Sequence, residues 1–219
     1  IFCGKPLIGW IIEAAKEASI FDDIILSTDS EEIAEIAESF GATVPGLRPL
    51  HLAQDDSNVF DTHKYIFQKL SIIDKTHRVC ILMNNPFINK ELIIKGYELA
   101  CNVDFQKVVL DTVQVSSDYI YFRQCYQRDS FLKFHFPKDL LKSKINRQSD
   151  NPTFVTINNM RWGKPSFMDD YGRYKAKIES DGIVPLLLPK TQNFDLDDSD
   201  DWEIAEAVWS SNKCKSKSF

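Results

Sequence analysis

Apolar residues recur at helical spacing from Leu7 through Ile8, Ile11, Ile12 and Ala15, behind a proline at position 6 that suits the first turn of a helix. A helix is expected to about Ser19. The next run, Asp23-Ile24-Ile25-Leu26-Ser27, is apolar, rich in β-branched residues and closed by Thr28-Asp29, the pattern of a buried strand with a polar end. Asp29 or Ser30 can cap the helix that follows, where Glu31 and Glu32 lie near the positive N-terminus and Ile33, Ile36 and Ala37 face inward. Gly41 stops it, and Thr43-Val44 is a brief strand. Residues 48–57 carry no period and read as an ordered loop ahead of a helix over residues 58–70. Val79-Cys80-Ile81-Leu82-Met83 is a second buried strand, leading through Asn84-Asn85-Pro86-Phe87 to a helix over residues 89–100, and Val108-Val109-Leu110 is a third. The apolar pattern returns at residues 153–157 and 184–188, and a last helix covers residues 200–210 before a short basic tail.

Fully apolar strands alternating with amphipathic helices imply an α/β fold, a mostly parallel sheet flanked by helices on both faces. Ligands in such sheets sit at the carboxyl ends of strands, here Ser27-Thr28-Asp29 and Asn84-Asn85-Pro86. Residues 115–145 break the pattern with irregular, aromatic-rich sequence such as Tyr119-Ile120-Tyr121-Phe122, expected to be an excursion used in dimer contacts. With 219 residues, one domain over residues 1–219 is the expectation. A net charge of −6 argues against a nucleic-acid partner, and no apolar run is long enough to span a membrane. Five scattered cysteines without paired spacing read as free thiols in a reducing cytoplasm, with Cys80 and Cys101 as buried small hydrophobes.

The densest acidic cluster is Asp195-Leu196-Asp197-Asp198-Ser199-Asp200-Asp201, ahead of the final helix. If residues 194–197 are extended, Asp195 and Asp197 point to one side and form a hard-oxygen site suited to Mg²⁺. The competing reading is a solvated turn in which Asp198, Ser199 and Asp200 cap the helix. The residues alone weigh the two about equally.

Several strings together resemble one family. Gly4-Lys5-Pro6-Leu7-Ile8-Gly9-Trp10, then Phe21-Asp22-Asp23-Ile24-Ile25-Leu26-Ser27-Thr28-Asp29-Ser30-Glu31-Glu32-Ile33-Ala34, then Arg48-Pro49 with Leu52-Ala53-Gln54-Asp55, and finally Asp195-Leu196-Asp197 with Asp201-Trp202 and Ala205-Glu206 are similar to the CMP-sialic acid synthetases in order and spacing. The resemblance implies a glycosyltransferase-A-like (nucleotide-diphospho-sugar transferase) fold, a homodimer, and transfer of CMP from CTP to the anomeric hydroxyl of an acidic nine-carbon 2-keto sugar. It implies Asp195 and Asp197 as the catalytic metal-binding pair, which favours the Mg²⁺ reading for those two and leaves Asp198 and Asp200 as caps. It also implies Arg48, Asp55 and Ser57 near the nucleotide, and Arg147-Gln148 near the sugar, where a guanidinium can grip a carboxylate with two hydrogen bonds.

Departures point at the acceptor. Where the family carries Gln-Pro-Thr-Ser-Pro-Leu, this chain has Leu82-Met83-Asn84-Asn85-Pro86-Phe87, so an amide that helps hold the sugar has become Leu82, with Asn84 and Asn85 as candidate substitutes. Asn158-Asn159 stands for the family's Asn-Gly, and Met160-Arg161-Trp162 for a more apolar run. These changes favour pseudaminate or legionaminate over N-acetylneuraminate, and rank a 3-deoxy-octulosonate last. Members of the family open with a strand and a phosphate-cradling loop, and Ile1 begins just after that loop, so both are expected to be missing from residues 1–219, whether trimmed from a longer protein or absent from it. A catalytically silent nucleotide-binding homologue or scaffold is the alternative, and retention of Asp195 and Asp197 counts against it.

Overall fold

The computed structural model describes residues 1–83, 85–115, 125–128, 131–134, 138, 153–192 and 194–216. Its strands are β1 (Val79–Leu82), β2 (Val108–Val115), β3 (Cys125–Arg128), β4 (Phe131–Phe134), β5 (Thr153–Gly163) and β6 (Ile183–Leu187). The helices are α1 (Leu7–Ala18), α2 (Glu31–Phe40), α3 (Val59–Lys69), α4 (Lys90–Asn102), α5 (Pro165–Met168), α6 (Tyr171–Asp181) and α7 (Ser199–Ser216). Short polar side chains start several of them. Ser30 Oγ accepts the Ile33 N–H at 3.3 Å, Asn58 Oδ1 accepts that of Phe60 at 3.0 Å, and Asn89 Oδ1 accepts that of Leu92 at 2.9 Å. Gly41, at φ +95°, ends α2 in the left-handed region.

The expected α/β sheet flanked by helices is present, with one correction. The sheet order is β1-β5-β2-β6, and β5 runs antiparallel to both β1 and β2, while β2 and β6 are parallel. The sheet is therefore mixed rather than mostly parallel. The helical crossover through α4 holds β1 and β2 in one direction and β6 runs with them, while α5 and α6 join β5 to β6, which run oppositely; the apolar pattern of residues 153–157 carries no information on direction. The strands expected at residues 23–27 and 43–44 reduce to one parallel bridge, Ile25 with Thr43, in which the Leu26 N–H meets Thr43 O at 2.9 Å. β3 and β4 pair as a separate two-stranded sheet inside the 115–145 excursion, most of which lies outside the described residues.

Side-chain alternation along β2 sends neighbours to opposite faces. Val109 joins Ala15, Ile93, Met160 and Trp162 in a cluster under α1 and α4, while Val108 and Leu110 join Phe60, Phe67, Met168 and Tyr174 under α3 and α6. Burying each such side chain contributes about 1.5–3 kcal/mol. The α4 contact is close: a Cβ on Gly96 would stand 2.5 Å from the Trp162 indole nitrogen. Two charges are built into this apolar interior, Asp111 on β2 and Arg161 on β5, which are 1% and 5% exposed. The Arg161 guanidinium lies 5.5 Å from the ring centre of Phe60 and 5.9 Å from that of Tyr174. Burial, and then the Arg161 charge, push the neighbouring His63 imidazole down to about 4. Burial likewise raises the Cys80 thiol. Cys101 is exposed, correcting the expectation for it, because Ala100 takes the inward position at that turn of α4.

Candidate functional site

Among the described residues, 194–197 form no ladder with any strand, yet they alternate as an extended segment should. Phe194 and Leu196 turn inward to an aromatic cluster with Phe2, Phe87, Trp202 and Trp209, and Phe194 stacks on Phe87 with ring centres 4.8 Å apart. Asp195 and Asp197 are exposed on the other side. Asp198 takes the capping role, its Oδ1 accepting the Asp201 N–H at 2.9 Å, and Asp201 Oδ2 in turn accepts the Asp197 N–H at 3.3 Å. Partial burial, then the charges of Asp197 and Asp201, hold the Asp195 carboxyl above its ordinary range.

With no ladder to use, the backbone of this segment is satisfied by side chains. Asn85 is fully buried, its Nδ2 donating to Gln192 O at 3.0 Å and its Oδ1 accepting the Phe87 N–H at 2.9 Å. It clamps the approach to the acidic pair and does not open toward a sugar. Asn159 is 3% exposed and donates through Nδ2 to Phe194 O at 2.9 Å, while its own backbone N–H donates to Asp111 Oδ2 at 3.1 Å. Leu82 pairs with Met160 across β1 and β5 and packs against the α1–α4 cluster. Asn84, Arg147 and Gln148 lie outside the described residues.

A second polar group surrounds the strand end at Ser27-Thr28-Asp29. The Arg48 backbone N–H donates to Thr28 O at 2.7 Å, and its guanidinium donates to Asp29 Oδ1 at 3.1 Å. That hydrogen bond holds the Asp29 carboxyl below its ordinary range. Asp29 is thereby occupied, and Ser30 caps α2 alone. Ser57 Oγ accepts the Gln54 N–H at 3.0 Å and donates to His51 O at 3.1 Å, folding the loop on itself, and Asp55 is exposed. A cleft of about 410 Å³ walled by Trp10, Glu13, Lys90, Gln192 and Trp209 contains none of Arg48, Asp55, Ser57, Asp195 or Asp197.

Residues 1–124 of the chain match the family model described as cytidylyltransferase, more than half of its 219 residues. The chain belongs to the cytidylyltransferase family. A pseudaminic acid cytidylyltransferase of Campylobacter jejuni is 28% identical over 220 residues, covering 96% of this chain and 88% of the relative. A homologous protein of the same name from another C. jejuni serotype is 36% identical over 101 residues, where the match spans 44% of this chain and 43% of the relative. The CMP-N,N'-diacetyllegionaminic acid synthase of Legionella pneumophila is 27% identical, over 97% of this chain and 89% of the relative. Among solved structures, a CMP-2-keto-3-deoxy-manno-octonic acid synthetase in complex with CTP superposes with a TM-score of 0.66 at 12% identity, covering 97% of this chain and 90% of that one. A likeness at that identity shows the shared fold.

For a cytidylyltransferase, divalent-metal chemistry raises the question of whether the residues present fit such an ion. Asp195 and Asp197 share a side, have no cationic partner among the described residues, and the charge of Asp197 helps to raise the Asp195 carboxyl. Among the described residues no cluster of three or more His, Cys, Asp or Glu forms a complete cage. A small hard cation that takes one or two carboxylates and completes its shell with phosphate oxygens and water fits that arrangement. Two features of this cytidylyltransferase escape a reading by period: the amide clamps of Asn85 and Asn159, and the buried Asp111. The isolated carboxylate in Val108-Val109-Leu110-Asp111-Thr112-Val113 was the signal for the last. No helix among the described residues is long and apolar enough to cross a membrane.

Proposed function

We propose that this cytidylyltransferase moves CMP from CTP to the anomeric hydroxyl of an acidic nine-carbon 2-keto sugar. In that reaction the sugar oxygen forms a bond to the α-phosphorus, the bond from the α-phosphorus to its bridging oxygen breaks, pyrophosphate leaves, and the hydroxyl proton passes to solvent. The outward pair Asp195 and Asp197 is the single observation that carries this reading within a cytidylyltransferase chain. These two carboxylates would hold Mg²⁺, which when bound supplies charge stabilisation to the phosphoryl oxygens. Asn85 and Asn159 keep the segment bearing them in register. Arg48, with Asp55 and Ser57 on its loop, is assigned to the cytidine end of CTP, and Arg147 with Gln148 to the carboxylate end of the sugar.

The acceptor is assigned as pseudaminate or legionaminate, in keeping with the apolar Leu82 where an amide would favour a more polar sugar. A methyl against a hydroxyl in an apolar pocket discriminates by about 1–3 kcal/mol, or ~10–200-fold in specificity constant. The enzyme is assigned as a cytoplasmic homodimer. Incubation of the full-length protein with CTP, Mg²⁺ and a panel of nine-carbon acids tests the reading through pyrophosphate release. Release with at least one acid is expected, fastest with the two deoxy acids. A preference for N-acetylneuraminate would overturn the acceptor assignment, and no release with any acid would overturn the activity.

A further inference from the structure

Between β2 and β5 the ladder slips. The register passes from Leu110 opposite Arg161 to Thr112 opposite Thr156, so two steps along β2 answer five along β5. The surplus is a bulge at residues 157–160, turned by Asn158 at φ +64°, a left-handed conformation that asparagine tolerates better than most residues. A bulge leaves backbone donors without ladder partners. Here the Asp111 carboxylate enters the gap and takes the Asn159 N–H at 3.1 Å. Its other oxygen has no hydrogen-bond partner among the described residues, and the group is 1% exposed.

A carboxylate in that position is costly, because burying an ionisable group without full pairing disfavours the fold. The backbone N–H groups of Met160 and Asn159 offset part of that cost, and Arg161 adds its charge at a distance. What the carboxylate does achieve is visible one residue on. The same Asn159 whose backbone it holds donates its side-chain amide to Phe194 O at 2.9 Å, and Phe194 directly precedes Asp195. The connection runs from the interior of the sheet to the acidic pair in two hydrogen bonds.

The geometry points to Asp111 as a positioning residue for the Asp195–Asp197 pair, acting through Asn159 and the Phe194 carbonyl. The inference rests on the reading of Asp195 and Asp197 as the metal-holding carboxylates. Asp111 touches neither substrate nor metal. It fixes the bulge, the bulge aims the Asn159 amide, and the amide sets where the backbone of residues 194–197 lies. Groups one shell out from a metal typically alter its affinity 10–100-fold when removed.

The test is Mn²⁺ affinity in the presence of CTP, read from the electron paramagnetic resonance of free Mn²⁺ with the full-length protein, and thermal melts in parallel. Asp111→Leu and Asn159→Ala are each expected to weaken Mn²⁺ binding by about tenfold. The metal KM should rise while kcat at saturating metal stays near wild type, a split that general destabilisation does not produce. The double variant should lose no more than the worse single, because the two residues act in series. Asp111→Asn keeps an oxygen that can accept the Asn159 N–H and is expected to recover most of the affinity. Wild-type Mn²⁺ affinity in folded Asp111→Leu or Asn159→Ala, additive losses in the double variant, or an Asp111→Asn as impaired as Asp111→Leu would overturn the proposal. Should Asp111→Leu fail to fold, Asn159→Ala and Asp111→Asn decide the matter. Asp195→Ala and Asp197→Ala are the reference: wild-type Mn²⁺ affinity in both would defeat the metal reading itself, and the positioning role with it.

Discussion

Two acidic positions invite comparison, Asp29 at the end of residues 24–28 and Asp195 ahead of α7. Both are exposed, and the sequence marks both, Asp29 as a strand-end residue or helix cap and Asp195 as a candidate metal ligand. Their electrostatics differ in sign. Asp29 accepts a hydrogen bond from the Arg48 guanidinium and is held below its ordinary range, whereas Asp195 faces Asp197 and Asp201 and is pushed above it. Their backbones differ as well. The segment before Asp29 uses the Thr43 bridge, while the segment before Asp195 hangs on the buried amides of Asn85 and Asn159. A carboxylate already paired has little to offer a cation; two carboxylates without a cationic partner among the described residues, on a segment held by buried amides, are arranged for one.

The largest expected effect separates the two positions by activity. Asp195→Ala and Asp197→Ala should each lower kcat on the order of 10²–10³-fold, the size seen when a group aimed at transition-state charge is removed. Asp29→Ala breaks only an exposed ion pair, so its loss should stay within about fivefold. Pyrophosphate release by the three variants measures this, and equal losses at all three would erase the distinction.

Next comes stability. Asn85→Ala and Asn159→Ala leave the part-buried carbonyls of Gln192 and Phe194 without these donors, which costs about 1–3 kcal/mol each. Arg48→Ala, at that exposed pair, should cost less than either. Urea denaturation of the three would show whether the acidic segment is pinned as described, and a cheap Asn159→Ala would mean that it is not.

The smallest effect concerns pH. The Asp29 carboxyl is depressed in the folded state, so the folded chain binds fewer protons than the unfolded one as pH falls toward the ordinary value of 3.8. Its contribution to stability is therefore present above that value and is lost as pH drops through the folded-state pKa. Arg48→Ala should move the Asp29 titration, followed by carboxyl NMR, up toward the ordinary position. An unchanged titration would show that Arg48 is not the cause.

The alternation of Phe194, Asp195, Leu196 and Asp197 was readable because it depends on nearest neighbours along the chain, and the helices at α1, α2, α3 and α4 were readable for the same reason. The choice of Ser30 over Asp29 as the cap of α2 was not, since Arg48 claims Asp29 from a distant loop. The clamps were hidden too: Asn85 reaches Gln192 across 107 residues and Asn159 reaches Phe194 across 35, and no local period reports such contacts. Read locally, Asn85 looked like a sugar contact at a strand end. Its burial shows why an amide stands there. The direction of β5 was equally silent, because apolar alternation is the same in either direction.

The measurement that bears most directly on the central claim is the Mg²⁺ dependence of CTP-driven pyrophosphate release by the full-length protein and by its Asp195→Asn/Asp197→Asn double variant. The substitution keeps shape and removes charge. Release by the wild type should saturate with Mg²⁺ and vanish with a chelator, and the neutral variant should stay inactive however much Mg²⁺ is added. Superimposable Mg²⁺ curves for the two proteins would contradict the account.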